Sequence, residues 1–282
     1  MCLYCDTFGG DTIWYLNPKA YGWRMYKIRE RENPDAEVTM VNPGIVDWEP
    51  ISEIIRFEET DPELYRKKLD NFSEHIGAMS KMQVVPIQDA EKIMEISRLP
   101  SSLPCMCRWI YRGILPQSKE EFSCGGLGTS MFRWERWPER YKNAHACGGV
   151  DFMSVEEGKS WLRHVNERGF VHCVGHEIGY LNMICNCNYP ECMIMRFRLD
   201  YDIKGGLLKA HYIALVEKDE CVGCLSCAHR CQFGALRYNP NFEKMEIDPY
   251  KCFGCGLCET ACPSGAITLE RRERFPGLRD NW

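Results

Sequence analysis

CVGCLSCAHRCQFGAL (221–236) and CFGCGLCETACPSGAI (252–267) decide how this chain is read. Offset by 31 residues, the two stretches match at all four cysteines, at Gly234/Gly265 and at Ala235/Ala266. Each is a C-x2-C-x2-C-x3-C run, the ligand spacing of a cubane 4Fe–4S cluster. Two-residue gaps let three thiolates of one tight loop reach three corners of one cube. The fourth cysteine lies too far round to close that cube and is free to serve its neighbour. Zinc is the competing metal, since C-x2-C pairs also build zinc ribbons, but a zinc site takes four ligands and does not call for a paired repeat. The small residues between the cysteines let backbone N–H groups approach the sulfurs, which stabilises a reduced cluster.

The rest of the composition agrees with metal rather than disulfides. Eighteen cysteines stand in 282 residues, and the N-terminus MCLYCDTFGGDTIW lacks the basic-then-apolar pattern of a secretory signal. A cytoplasmic, reducing setting is therefore expected. A net charge of -5 leaves no basic field for nucleic acid. No run of about 18 apolar residues is present to span a membrane.

Around the repeat, the chain divides near the linker-like DIKGG (202–206). Residues 1–205 read as a mainly helical, cysteine-rich part. Asn17-Pro18 opens one expected helix, with Tyr21, Met25 and Ile28 on a face. Asp61-Pro62 opens another, carrying Leu64, Tyr65, Leu69 and Phe72, and a third starts near Asp89 and ends before Pro100. Ser154-Val155-Glu156-Glu157 is a capping box for a helix running to about Arg168, with Gly169 at C′ and His164 as a surface cap. Between Pro100 and Gly149 there is little periodicity and much Pro, Gly, Trp and Cys, so something other than an aliphatic core must order it. From His211, HYIALVE reads as a strand leading into the first cysteine run.

Residues 211–270 resemble the bacterial two-cluster ferredoxins. That resemblance implies that Cys221, Cys224, Cys227 and Cys262 hold one 4Fe–4S cluster and that Cys252, Cys255, Cys258 and Cys231 hold the other. One departure is that Cys262 precedes Pro263 whereas Cys231 precedes Gln232. More broadly, PCMCRW (104–109), CGGLGT (124–129) and ICNCNYPEC (184–192) resemble a family of larger ferredoxin-like proteins with cysteine-rich segments ahead of a two-cluster domain. The resulting fold class is α+β: a cysteine-rich part over 1–205, then a ferredoxin-like two-cluster domain with a C-terminal tail over 206–282.

One or two further 4Fe–4S clusters are expected in the front part. Cys105, Cys107 and Cys124 supply three thiolates of a third, with Cys185 or Cys187 completing it. Cys2 and Cys5 with Cys192 and the remaining member of the Cys185/Cys187 pair would make a fourth, with zinc as the competitor at the N-terminal cysteines. Cys173, in the strand-like GFVHCVG, reads as a buried thiol, and Cys147 stays open. HEIGY (176–180) lacks the second histidine of a zincin helix, and no nucleotide or flavin fingerprint occurs.

The function expected is one-electron transfer by a chain that is not itself catalytic, acting as a subunit of a larger oxidoreductase complex with a flavin- or metal-containing partner. The alternative is an iron–sulfur enzyme whose N-terminal cluster binds substrate at an iron lacking a fourth cysteine. A redox or iron sensor is the third reading, and no DNA-reading helix supports it.

Overall fold

A computed structural model of the chain describes residues 2, 5, 12–18, 48–79, 81–97, 99–114, 116–128, 150–177 and 180–282. The helix expected from Asn17-Pro18 onward, and Cys147, lie outside these residues. In chain order the elements are α1 (Trp48–Ile55), α2 (Pro62–Met79), β1 (Lys81–Val84), α3 (Ile87–Ser97), β2 (Ser101–Leu103), α4 (Met106–Arg112), β3 (Cys124–Gly126), β4 (Asp151–Phe152) and α5 (Val155–Glu167). They continue with β5 (Val171–Glu177), β6 (Tyr180–Cys187), α6 (Met193–Asp200), β7 (Leu207–Leu208), β8 (Tyr212–Val216), α7 (Ser226–Arg230), β9 (Leu236–Asn239), β10 (Lys244–Ile247), α8 (Leu257–Thr260) and β11 (Ile267–Arg271).

The fold is α+β, but its front part is organised by a sheet rather than being mainly helical. Seven strands lie in the order β4-β2-β3-β6-β5-β1-β7. Apart from β5 and β6, their short length explains why they escape a reading by periodicity. Strands β2 and β3 have three residues each, SSL and CGG, too few to show an alternation. Pairing is antiparallel throughout except for β1 with β7, where Met82 and Gln83 lie beside Leu207 and Leu208. The DIKGG linker thus leads straight into a strand of the larger sheet.

Because successive side chains of a strand point to opposite faces, this sheet has two different surfaces. Val174 of β5 and Ile184 of β6 join Ile93 and Met94 of α3 and Leu162 and Val165 of α5 in one aliphatic core. Met82, Val84, Val171 and Cys173 point the other way, packing with Cys192, Phe233, Phe253 and Cys255, and with Cys185 and Cys187 at the margin. The aliphatic side is conventional. Helix α5 carries the expected capping box, with Ser154 accepting from Glu157 N–H and Glu157 reaching back to Ser154 N–H, and Gly169 beyond its C-cap takes φ +87°. Helices α1, α2 and α6 bury Ile51, Ile54, Leu69, Phe72 and Phe197 in a separate core.

The C-terminal part consists of two hairpin-like ladders, β8 with β11 and β9 with β10, each antiparallel. The two cysteine runs lie between them, each entering a one-turn helix, α7 or α8.

Candidate metal centres

The repeat folds into two cavities whose linings cross over. One, of about 280 Å³, is lined by Cys221, Cys224 and Cys227 of the first run and Cys262 of the second. The other, of about 350 Å³, is lined by Cys252, Cys255 and Cys258 of the second run and Cys231 of the first. Apart from the thiols, the walls are mostly apolar: Met245, Ala266 and Ile267 in one, Ala214, Phe233, Ile247, Phe253 and Leu257 in the other.

Backbone amides are aimed at the sulfurs in a matched way. Ala235 N–H donates to Cys231 Sγ at 3.3 Å and Ala266 N–H to Cys262 Sγ at 3.2 Å. Met245 N–H donates to Cys221 Sγ, and Ala214 and Gly254 N–H to Cys252 Sγ, at 3.4–3.5 Å. Such donors reach the sulfurs only because the loops are tight. At Gly254 (φ +67°) an added Cβ would sit 2.0 Å from the Tyr212 carbonyl oxygen, and at Gly223 (φ +66°) 2.4 Å from that of Glu243. Only glycine fits both the left-handed backbone and the contact.

The two cavities differ in electrostatics. Burial pushes the Cys255 thiol up to about 12 and raises Cys252 and Cys258 as well. Cys224 is exposed, and hydrogen bonding with Ser226 lowers its pKa. Beside the Cys252 cavity lies a buried guanidinium. Arg272 donates to the carbonyls of Ala210 (3.1 Å), Tyr212 (3.1 Å) and Cys252 (2.9 Å) while 1% exposed. Lys209 and Arg198 stand over the Phe253 ring of the same cavity, at 5.5 and 5.3 Å from its centroid. Burial, with Arg272 and Arg198 nearby, lowers Lys209 to about 8.

A second gathering of thiols lies on the cysteine face of the large sheet. Cys124 of β3 is paired opposite Cys185 of β6, and Cys185 is also opposite Cys173 of β5. Cys187 shares the face of Cys185 because it lies two residues further along the strand. The thiols stand close enough to perturb one another in pairs: Cys105 with Cys107 and Cys124, Cys124 with Cys185, Cys185 with Cys187, Cys187 with Cys192 and Cys173, and Cys192 with Cys107. Six sulfurs therefore close a ring, with Cys173 attached to it. Contact with Cys107 and Cys124, aided by Arg108, holds Cys105 well below the ordinary thiol value. Contact with Cys105 and burial raise Cys107 and Cys124. The Arg108 guanidinium binds the Asn188 side-chain oxygen and stacks 4.5 Å from the Phe170 centroid, locking PCMCRW onto the ICNCNYPEC segment.

The structure thus brings together Cys105, Cys107, Cys124, Cys185, Cys187 and Cys192, and adds Cys173. It places Cys192 between Cys107 and Cys187, not with Cys2 and Cys5 as the expected fourth set had it. Cys2 and Cys5 instead meet His211, with all three donor atoms within 4.8 Å of one another. Sequence offered no pointer to His211 beyond its position just before β8. Cys173 was legible as a buried thiol in a strand, but its approach to Cys187 arises from pairing between strands.

The residues of the repeat fit two 4Fe–4S clusters: soft thiolate donors converge on two apolar cavities with N–H groups on their sulfurs. A family model described as a 4Fe-4S dicluster domain matches residues 213–266. The archaeal-type glutamate synthase [NADPH] of Thermotoga maritima is 38% identical over 61 residues, which is 21% of this chain and 12% of that protein. Pyruvate synthase subunit PorD of Methanothermobacter marburgensis is 36% identical over 58 residues, 21% of this chain and 65% of its own length. A subunit of the ion-translocating oxidoreductase complex of Methanosarcina acetivorans is 43% identical over 49 residues, 17% of this chain and 18% of that protein. The chain carries a C-terminal 4Fe-4S dicluster domain, and it spans only about an eighth of the glutamate synthase's length. Among the described residues no helix is long and apolar enough to cross a membrane.

Proposed function

We propose that this chain relays single electrons through at least three 4Fe–4S clusters as a subunit of a larger oxidoreductase complex. Cys221, Cys224, Cys227 and Cys262 would hold one cluster, and Cys252, Cys255, Cys258 and Cys231 the second. Four of the ring thiols would hold the third, with Cys105, Cys107 and Cys124 among them. Bound there, each cluster supplies one-electron exchange between ferrous and ferric iron. The chain's own residues fix the clusters, keep water from two of them and bias their potentials.

One observation carries this reading. Part of the thiol ring and part of the Cys252 cavity share one buried core, in which Cys173, Cys192 and Cys255 pack with Phe233 and Phe253, whose rings stack at 4.0 Å, and Cys185, Cys187 and Cys231 lie against it. A path from ring to ferredoxin pair therefore crosses packed side chains rather than solvent. At the other end Cys224 reaches the surface beside Val222, 68% exposed, and Leu225. That makes the Cys221 cluster the natural point of exchange with a redox partner carrying a flavin or metal. The names of the relatives, subunits of a pyruvate synthase and of an ion-translocating oxidoreductase complex, support a place in such an assembly. The alternative of a substrate-binding cluster called for a shortage of thiolates, and the ring has a surplus.

The test is iron and sulfide per chain in anaerobically purified protein, with EPR of the reduced state. About twelve irons are expected. Cys105→Ala should remove about four while leaving the spectrum of the ferredoxin pair. About eight irons in the unmodified chain, unchanged in the variant, would sink the relay and leave only the ferredoxin pair.

A further inference from the structure

Cys2, Cys5 and His211 stand apart from every thiol group described above, and their spacing is of a different kind. Cys5 Sγ lies 3.5 Å from His211 Nε2, and the two sulfurs and the imidazole nitrogen all fall within 4.8 Å of one another. Donors on one tetrahedral zinc, at about 2.3 Å for sulfur and 2.0 Å for nitrogen, are about 3.5–3.8 Å apart. Thiolates on a cubane sit on separate irons and stand further apart. Among the described residues no other three Cys, His, Asp or Glu donors are this close, the ferredoxin cysteines and the ring included.

The immediate surroundings are those of a ligating pair. The backbone of Cys5 beside Cys2, and that of Trp14 beside Cys5, favour the thiolate form of each sulfur. The His211 ring is 7% exposed and held edge-on by Tyr15 and Trp282, at 5.8 and 5.2 Å between centroids. Tyr15 is fixed in turn by its hydroxyl, which donates to Asp89.

We infer that Cys2, Cys5 and His211 form a mononuclear zinc site, distinct from the iron–sulfur clusters. The C-x2-C pair and a histidine 206 residues away give zinc two sulfurs and one nitrogen, with its fourth position open to water or another donor. Thiolates and imidazole favour zinc over the oxygen-loving magnesium and calcium. The site's location gives it a task. His211 leads directly into β8, and its carbonyl accepts from Arg272 N–H at 2.9 Å. A metal here staples the Trp14–Leu16 turn and the start of the chain to the base of the dicluster domain, next to the Cys252 cavity. It reinforces a direct link, in which Trp14 Nε1 donates to Gln83 at 2.6 Å and Gln83 donates to the Lys209 carbonyl at 3.1 Å.

The test uses the full chain purified anaerobically with its clusters, with zinc and iron counted separately and the zinc K-edge measured by X-ray absorption. About one zinc per chain is expected, with two sulfurs near 2.3 Å and at least one nitrogen near 2.0 Å. His211→Ala should lower zinc occupancy at least tenfold without changing the iron count, and His211→Cys should restore it with three sulfurs around the metal. No zinc in the unmodified chain, an all-sulfur or sulfur-free shell, or zinc retained fully in His211→Ala overturns the site. So does a loss of about four irons in Cys5→Ser, because it would put these cysteines on a cluster. The iron count tests the relay and the zinc edge tests this site, so either reading can fail without the other.

Discussion

Replacing Gly254 by alanine separates what a left-handed backbone costs from what a lack of space costs. Gly254 and Gly265 have nearly the same φ, +67° and +68°. An alanine at either incurs the left-handed penalty of about 1–2 kcal/mol. At Gly265 the new methyl meets nothing within 4 Å. At Gly254 it would lie 2.0 Å from the Tyr212 carbonyl oxygen and 2.7 Å from its carbon. That carbonyl cannot easily retreat, because Arg272 binds it and Tyr212 is paired with Arg271 in the β8–β11 ladder. Moving backbone by about an ångström adds overpacking strain of roughly 1–3 kcal/mol. If cluster loss follows local opening, that difference means iron release from Gly254→Ala about 5-fold faster or more than from Gly265→Ala, at 1.36 kcal/mol per factor of ten. The assay is anaerobic release of iron to a ferrous chelator, followed by absorbance in both variants and the parent. The fast phase in Gly254→Ala should account for about four irons, those of the Cys252 cavity. Equal release rates in the two alanine variants would refute the contact as the reason for this glycine.

Arg272 should raise the potential of the adjacent cluster, since a buried cation favours the extra electron. A unit charge beside the cluster at an effective dielectric near 20 is worth on the order of 2 kcal/mol, or on the order of 100 mV for one electron. Arg272→Gln should therefore lower one midpoint potential of the ferredoxin pair by tens of millivolts, while Arg272→Lys shifts it much less; redox titration followed by EPR reads both, and equal shifts would speak against the charge. His172 gives a pH prediction. Burial lowers it from 6.5 to about 4, with its Nδ1 donating to Asn186 Oδ1 at 2.6 Å and Nε2 accepting from Asn166 at 3.1 Å. The unfolded chain takes up this proton near pH 6.5 and the folded chain does not, so the stabilisation is complete above about pH 6.5 and is lost as pH falls toward 4. Between pH 8 and 5 the loss is about 2 kcal/mol. Denaturation of parent and His172→Gln holoprotein at several pH values should show that loss in the parent alone, over whatever acid lability the two share.

What the sequence made legible is what is local. The capping box at Ser154, the helices behind Pro62 and Asp89 and the strand at Tyr212 each rest on residues within a few positions of one another, and all are present. The cysteine repeat is local in the same sense, because its spacing defines two tight loops. The seven-stranded sheet is different. Cys124 finds Cys185, and Ser101 finds Gly126, through pairings that no short window displays. The short strands also spend their few positions on Ser, Gly and Cys, which carry little strand preference, so the front part reads as more helical than it is. His211 was hidden for another reason: its partners lie at the far end of the chain, and a histidine opening an apolar strand looks like any core histidine.

The sheet explains why so many cysteines can be buried without destabilising the front part. Residues of β5 and β6 alternate, so Val174 and Ile184 close an aliphatic core with α3 and α5 while Cys173, Cys185 and Cys187 face away from it. Stability is thus vested in one face, leaving the other free to be shaped by metal chemistry. The same alternation sets the direction of any electron path. Thiols on the far face pack toward Cys192, Phe233, Phe253 and Cys255, which belong to the start of α6 and the dicluster domain. A front part built as an independent domain would need a polar, solvated boundary at this place. Here the boundary is apolar and shared, and β7, just after the linker, is itself a strand of the large sheet. The long N-terminal addition is therefore better understood as an extension of the ferredoxin core than as a separate module tethered to it.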